Sequence, residues 1–298
     1  MQKIRQNTAL LGYLFAIGAT VIWSGNFIIA RGLNESIHPV ALAFFRWLVA
    51  VAVSLPFTLK TALAEKDILK KHIPYLAVTA FFGVTLFNTL VYIAGQTTTA
   101  LNLSLISLTF PIFTVIILWA FLGEKMTFQK IIGTLLVLIG VTLLVTKGEI
   151  SKLASITFAI GDLWMLVAAL SFAIYSILVK RKPSEISGWS FQASTFILGF
   201  LILVPFYFWE KALYPPTAFD AKTIGGILYI GIFAAFIAFA LWNRAVMNIG
   251  PAKASMIYYT VPLFSGVLAY IFLGEAVTII HLVSAVLIFS GIFTANRA

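Results

Sequence analysis

Aromatic and amide side chains recur at helical spacing inside stretches of this chain that are otherwise apolar. Trp23 and Asn26 lie three residues apart, and Asn88 and Tyr92 lie four apart, so each pair shares one face of a helix. Aromatic faces attract ammonium groups, and amides and hydroxyls form hydrogen bonds with polar heads. The pattern favours a binding site for a solute that has an apolar body and a polar head.

The candidate substrate-binding residues are aromatic, amide and hydroxyl side chains that we expect to face one central space. They are Trp23, Asn26, Asn88, Tyr92, Asn102, Ser107, Tyr175, Trp242, Tyr258 and Tyr259. Structural roles stay open for all of them, because Trp and Tyr also form belts at membrane surfaces, and Asn and Ser also join helices. Helix geometry lets only one of the adjacent Tyr258 and Tyr259 face the space squarely.

Composition indicates that the helices carrying these residues cross a lipid bilayer. Of the 298 residues, 61% are hydrophobic and only 10% are charged, with a mean hydropathy of +1.03. Soluble domains carry roughly 25% charged residues. The formal charge of +10 does not indicate nucleic acid, because the basic residues sit in short loops between apolar stretches. We therefore expect the bilayer, and not a nucleic acid or an obligatory protein partner, to surround this chain.

Ten apolar segments are long enough to span a membrane, which takes roughly 17–25 residues. The sequence predicts an all-α polytopic protein with spans at 10–30, 39–59, 74–95, 99–121, 129–146, 159–179, 189–208, 223–246, 252–272 and 278–294. The side of the bilayer that holds the N-terminus carries most of the basic residues, including Lys180-Arg181-Lys182. The positive-inside rule then predicts a cell inner (plasma) membrane protein with both termini in the cytoplasm.

An internal repeat divides the chain into two halves of five spans. Phe121-Leu122-Gly123-Glu124 recurs as Phe272-Leu273-Gly274-Glu275, and the same offset pairs Pro111 with Pro262. Because five is odd, the second half must cross the membrane upside down. We predict two inverted five-helix repeats, at 1–148 and 149–298, that meet around a central site.

Pro111 and Pro262 occupy equivalent places in the two repeats, and each weakens its helix by removing a backbone hydrogen bond. We predict that they act as hinges, with a static kink as the alternative. Arg46 is the one basic residue well inside a span. We expect it to have a structural role and to reach toward the outer headgroups, with contact to a substrate carboxylate as the alternative.

Several kinds of chemistry are missing from the sequence. All ten acidic residues fall in predicted loops or terminal turns, so no carboxylate relay lies at mid-membrane. We hypothesise gradient-driven movement, with coupling through Asp162 or a histidine left open. The chain has no cysteine, three scattered histidines, and no phosphate-binding loop or nucleophile elbow. We predict no catalytic residue, metal site or cofactor, and no enzymatic activity.

The stretch from Tyr92 to Leu144, with Thr109-Phe110-Pro111 and Phe121-Leu122-Gly123-Glu124-Lys125, resembles the core of the drug/metabolite transporter superfamily. Trp23-Ser24-Gly25-Asn26-Phe27 is similar to the opening motif of its EamA-type branch. The resemblance covers essentially the whole chain. It implies ten spans in two repeats, a central cavity lined mainly by spans 1, 3, 4, 6, 8 and 9, and export of amino acids and related metabolites, aromatic ones among them.

We therefore expect an exporter-like carrier of small amphipathic metabolites, such as amino acids with aromatic or hydrophobic side chains, that works by alternating access. The alternatives are a multidrug or other metabolite permease of the same fold, a channel, or a membrane-embedded enzyme. An enzyme would need a buried catalytic pair or a metal cluster, which the sequence lacks.

Single cysteines test the inverted repeat, because the chain has no cysteine of its own. We expect an impermeant maleimide to label Lys125→Cys only from the cytoplasmic side and Ala276→Cys only from the outside. These residues follow the two copies of the Phe-Leu-Gly-Glu turn, which inversion places on opposite sides. Labelling of both cysteines from one side of the membrane would end the inverted-repeat interpretation.

Overall fold

The computed structural model describes residues 2–33, 36–98, 100–149, 151, 159–215, 219–273 and 278–297, and it describes no side chains for 2–6, 26–32, 100–101, 269 and 272–273. The described chain is a bundle of long helices. The helices are α1 (Gln2–Gly32), α2 (Pro39–Ala64), α3 (Ile73–Ala94), α4 (Ala100–Ser107 and Phe110–Leu122), α5 (Phe128–Val145), α6 (Ile160–Lys180), α7 (Gly188–Leu213), α8 (221–249), α9 (251–258 and Val261–Leu273) and α10 (Ile279–Asn296).

Within the described residues, nine continuous helical stretches are long and apolar enough to cross a membrane. The longest of them, Ala221–Tyr258, bends at Gly250, whose φ of 83° and ψ of 159° interrupt the helix. That positive φ suits glycine, which has no Cβ to oppose it. The bend separates α8 from the first part of α9, so the ten predicted spans are all accounted for.

The two halves of the bundle run in opposite directions. At one end, here called the basic end, Gly12 lies against Ile249, and Glu124 lines a small cavity with Gly250. At the opposite end, Leu33 lies against Gly226. The second part of α4 therefore runs toward the basic end, whereas α9 begins there and runs away from it. This is the inversion that an odd number of spans per repeat requires.

Both repeats carry the same two distortions of their helices. The middle of α3 is a π-helical segment, Phe81–Leu86, and the middle of α8 is another, Ile230–Ile237. Helix α4 breaks after Ser107 and α9 breaks after Tyr258, in each case just before a proline. Such distortions free backbone groups from their helical hydrogen bonds and recur at functional sites.

Helices α2 and α7 cap each other. The carboxylate of Glu210, near the end of α7, accepts hydrogen bonds from the amides of Val40 (3.0 Å) and Ala41 (2.7 Å) in the first turn of α2. The carboxylate of Glu65, just after α2, accepts one from the Ser187 amide (3.0 Å) at the start of α7. Each carboxylate thus satisfies helix N-terminal amides that have no partner within their own helix.

Glu65 lies outside the spans and stays ionised. Burial opposes its ionisation, but the hydrogen bonds from Ser187 and Ser190 and the charge of Lys182 outweigh that effect and hold the pKa of Glu65 below its ordinary value. Glu65 therefore caps α7 as a charged carboxylate, which strengthens the hydrogen bond that it accepts from the Ser187 amide.

Helices α5 and α10 approach so closely that only glycine fits where they cross. A Cβ placed on Gly133 would lie 2.5 Å from the Gly291 carbonyl oxygen and 2.5 Å from the Ala295 amide. A Cβ on Gly291 would lie 2.5 Å from the Gly133 carbonyl oxygen. Close approach of small residues is a common way of joining helices in lipid, where helices gain no hydrophobic attraction from each other.

We expect Gly133→Leu to lower the melting temperature in detergent, because overpacking at a close crossing costs about 1–3 kcal/mol or more. The matched control is Gly225→Leu in α8, since a Cβ at Gly225 meets no atom within 4 Å. Thermal unfolding of both purified variants checks this. Equal melting temperatures for the two variants would contradict the crossing described here.

Candidate functional site

Seven aromatic side chains meet between the two repeats and are buried there. This central aromatic cluster consists of Trp23, Phe110, Phe172, Tyr175, Phe239, Trp242 and Tyr258, and none of them is more than 6% exposed. The Trp23 ring lies 5.3 Å from the Trp242 ring and 5.5 Å from the Phe172 ring, centroid to centroid. The Phe110 ring lies 5.2 Å from that of Tyr258. In this conformation the rings contact one another at the separations typical of aromatic pairs.

Helical spacing explains why these rings converge. Phe172 and Tyr175 are three residues apart on α6, and Phe239 and Trp242 are three apart on α8, so each pair projects from one helix face. Phe87 of α3 extends the cluster by stacking on Phe172 at 4.4 Å. The cluster with Phe87 therefore draws on α1, α3, α4, α6, α8 and α9, the six spans from which the family resemblance leads us to expect the lining.

The polar atoms of the cluster form hydrogen bonds within the protein. Trp242 Nε1 donates to Ser176 Oγ at 3.1 Å, and the Tyr175 hydroxyl donates to Asn243 Oδ1 at 2.7 Å. Because these side chains are buried, the bonds hold the rings in a defined arrangement, and breaking them would leave polar groups unsatisfied.

Arg46 of α2 lies inside the bundle, and this corrects the expectation that it reaches the outer headgroups. Its side chain is 1% exposed. Nη1 donates to the Tyr92 hydroxyl at 2.9 Å, and Nη2 donates to the Ala234 carbonyl at 3.0 Å. The same carbonyl accepts a hydrogen bond from Trp23 Nε1 at 2.9 Å. Ala234 belongs to the π-helical segment of α8, where an irregular helix makes its carbonyl available to side chains.

Asn102 lies away from the aromatic cluster and is bonded to Asp162 at the start of α6. Asn102 Nδ2 lies 3.1 Å and 3.0 Å from the two carboxylate oxygens. The Thr98 hydroxyl and the Ala159 amide also donate to this carboxylate. Asn102 thus already has a structural task, and its role toward a substrate stays a prediction.

Three further residues that were predicted to bind substrate, Asn88, Tyr259 and Ser107, are buried. Asn88 is 4% exposed, and its Nδ2 has no hydrogen-bond partner within the described part of the chain. Tyr259 is also buried, and its hydroxyl likewise has no hydrogen-bond partner among the described residues. Ser107 Oγ donates to the Ser104 carbonyl at 2.7 Å. Asn26 lies outside the residues whose side chains are described.

Pro111 and Pro262 each stand second in a new helical segment, Phe110–Leu122 and Val261–Leu273, and not within an uninterrupted helix. This corrects the expectation that each proline removes a helical hydrogen bond, because the first amides of a helix lack an internal partner. The helix breaks therefore come just before the prolines. Their role as hinges stays a prediction.

Comparison with known proteins assigns the family. The model of a protein family described as the EamA-like transporter family matches residues 10–146 and, a second time, residues 159–297. The chain belongs to the EamA-like transporter family. It is thus a multi-pass membrane transporter with a duplicated repeat, consistent with the drug/metabolite transporter superfamily. The boundary between repeats at 148 and 149 stays a prediction.

Relatives of this EamA-like protein are named as transporters. It is 29% identical over 275 residues to an uncharacterized transporter of Archaeoglobus fulgidus, covering 92% of this chain and 93% of that protein. It is 24% identical to a probable terminal-alkyne amino-acid exporter of Streptantibioticus cattleyicolor, over 76% of this chain and 74% of that protein. A solved crystal structure superposes with a TM-score of 0.74 at 18% identity, over 95% of this chain and 96% of the other, and so shares the fold.

Three members of the cluster were not among the predicted substrate-binding residues of this EamA-like transporter, although Phe110 belongs to the Thr109-Phe110-Pro111 motif. Phe110, Phe172 and Phe239 are three of 27 phenylalanines, and an apolar ring in an apolar span is not conspicuous. Their helical spacing from residues that were singled out, such as Phe172 from Tyr175, is the one feature that could have identified them.

We expect Arg46→Met and Tyr92→Phe to be energetically coupled by about 1–3 kcal/mol, because loss of either partner leaves a buried group of the other without its hydrogen bond. A double-mutant cycle on unfolding in detergent measures this coupling. The control cycle pairs Arg46→Met with Tyr270→Phe, whose side chain is exposed. A coupling as small as that of the control cycle would refute the Arg46–Tyr92 interaction.

Proposed function

We propose that this protein is a carrier of small amphipathic metabolites, of the class of amino acids with aromatic or hydrophobic side chains. It moves them across the membrane by exposing a central site alternately to its two sides. A plasma-membrane location with both termini in the cytoplasm fits the charge bias of the loops and belongs to the same proposal.

One observation carries this proposal: the central aromatic cluster lies between two inverted repeats and is built by both. Trp23 and Phe110 come from the first repeat, and Phe172, Trp242 and Tyr258 from the second. A change in the angle between the repeats separates rings that now touch, and inversion supplies an equivalent change on the other side. The present arrangement then corresponds to a state in which the site is closed.

The chemistry of the cluster matches an amino acid with an apolar side chain. Aromatic faces contact the apolar side chain of the amino acid. They also attract its α-ammonium group, an attraction worth about 0.5–2 kcal/mol. The Asn88 amide nitrogen and the Tyr259 hydroxyl, which have no hydrogen-bond partner among the described residues, are donors suited to a carboxylate. The name of the Streptantibioticus relative, a probable amino-acid exporter, adds support for this substrate class.

Counterflow in proteoliposomes tests the proposal. Vesicles loaded with unlabelled phenylalanine should take up external radiolabelled phenylalanine in a saturable way. Trp242→Ala should reduce this uptake by about tenfold or more, because a lost aromatic contact of about 1.4 kcal/mol corresponds to a factor of ten. The matched control is Trp119→Ala, since Trp119 is 55% exposed on the outer surface of the bundle.

Trp242→Phe guards against a folding defect, since it keeps a six-membered aromatic ring and removes the five-membered ring that donates the hydrogen bond to Ser176. Its uptake should fall between those of the wild-type protein and Trp242→Ala. No saturable counterflow with phenylalanine, tyrosine, tryptophan or leucine would exclude the proposed substrate class. Equal loss in Trp119→Ala and Trp242→Ala would remove the cluster from the site.

A further inference from the structure

A second cavity lies at the basic end of the bundle, between α6, α7 and α8. Its volume is about 280 Å³. Its lining includes two cationic side chains and several neutral ones, among them Lys182, Trp189, Gln192, Asn243, Arg244 and Met247. None of them was among the residues predicted to bind a substrate. The cavity is large enough for the polar head of a small organic molecule.

The cavity is positively charged. Lys182 and Arg244 line it, and among its described lining residues there is no aspartate or glutamate. The Arg244 guanidinium lies 4.9 Å from the centre of the Trp189 ring, which fixes its position at the cavity mouth. Cations grouped in a cleft attract anions to it.

Lys182 is only partly neutralised by its surroundings. Its ammonium donates to the Pro183 carbonyl (3.2 Å) and to the Ile186 carbonyl, and an ammonium has three donors. Burial lowers the pKa of Lys182, and the charge of nearby Glu65 opposes that effect in part. Glu65 itself is engaged by the Ser187 amide. A second anion beside Lys182 would therefore stabilise its charge further.

Asn243 connects this cavity to the central aromatic cluster. It is 9% exposed, and its Nδ2 has no hydrogen-bond partner within the described chain. Its Oδ1 accepts the hydrogen bond from Tyr175, a member of the cluster, and the preceding residue Trp242 is another member. A buried amide donor without a partner is costly in a membrane protein, and an anion bound in the cavity would supply the acceptor.

We propose that this cavity binds the anionic head group of an amphipathic ligand, with Arg244 and Lys182 supplying the charge and Asn243 the buried donor. The apolar part of the ligand lies toward Tyr175 and Trp242. The proposal extends the proposed function by an access site at the basic end, ahead of the central cluster. A carboxylate on a solute and the head group of an anionic lipid share this chemistry.

A cysteine at Met247 reports on the cavity, because Met247 lines it, is 39% exposed and the chain has no other cysteine. The purified Met247→Cys protein is treated in detergent with an anionic methanethiosulfonate, the 2-sulfonatoethyl reagent, or with a cationic one, the 2-trimethylammonioethyl reagent. We expect the anionic reagent to react faster, after each rate is divided by its rate with a free thiol. Adding Arg244→Gln should reduce this preference by about threefold to tenfold.

The matched control variant is Arg297→Gln in the same Met247→Cys protein. Arg297 also lies over an aromatic ring, that of Phe293 at 4.1 Å, but it lines a different cavity. It should leave the preference unchanged. Equal effects of Arg244→Gln and Arg297→Gln, or no preference for the anionic reagent at all, would overturn the proposal.

Protection of the cysteine identifies the source of the anion. If the ligand is a solute, 3-phenylpropionate slows labelling while phenethylamine does not, and Asn243→Ala weakens the protection. If it is a lipid, nanodiscs containing phosphatidylglycerol slow labelling relative to phosphatidylcholine nanodiscs without any added solute. If neither 3-phenylpropionate nor phosphatidylglycerol slows labelling, the proposed site is refuted. Since labelling requires no transport, a failure here with intact phenylalanine counterflow would leave the transport proposal standing.

Discussion

In hydrocarbon, a backbone carbonyl that leaves its helix must find a donor inside the protein, and the rest of this structure depends on where those donors come from. The π-helical segments of α3 and α8 accept hydrogen bonds from side chains of the other repeat. The Ala234 carbonyl accepts from Trp23 and Arg46 of the first repeat, and the Phe82 carbonyl accepts from Ser171 of the second, at 2.7 Å. Each repeat thus supplies side-chain donors for backbone carbonyls of the other repeat in the middle of the bundle.

This exchange of donors gives the central cluster two kinds of contact. The rings supply apolar contacts with one another, whereas the polar bonds at their edges fix their orientation. Trp23 combines both, since its ring touches Trp242 while its Nε1 binds the π-helical segment. Movement of α8 relative to α1 therefore alters the aromatic contacts and the backbone acceptor together.

Patterns of polarity in the sequence predicted those parts of the structure that lipid imposes. Ten spans, the inverted repeat and the convergence of Trp23, Tyr175, Trp242 and Tyr258 all follow from hydropathy, an odd span count and helical spacing.

Other features depend on tertiary contacts that no local pattern encodes. The π-helical segment of α3 is apolar apart from Thr85, and this composition does not distinguish it from an ordinary membrane-spanning helix. Arg46 was expected at the membrane surface because its acceptors, Tyr92 and Ala234, lie 46 and 188 residues away in the chain. The bend at Gly250 is the exception, since a Gly-Pro pair is a strong sequence signal for a turn.

The reciprocal capping of α2 and α7 constrains how the bundle can rearrange. Glu210 holds the first turn of α2 and Glu65 holds the first turn of α7, so the antiparallel pair is pinned at both membrane surfaces. Sliding one helix along the other by a single turn, about 5.4 Å, would break both attachments at once. The α2–α7 pair therefore resists sliding of one helix along the other, so a rearrangement of the bundle that keeps these bonds also keeps the register of the pair.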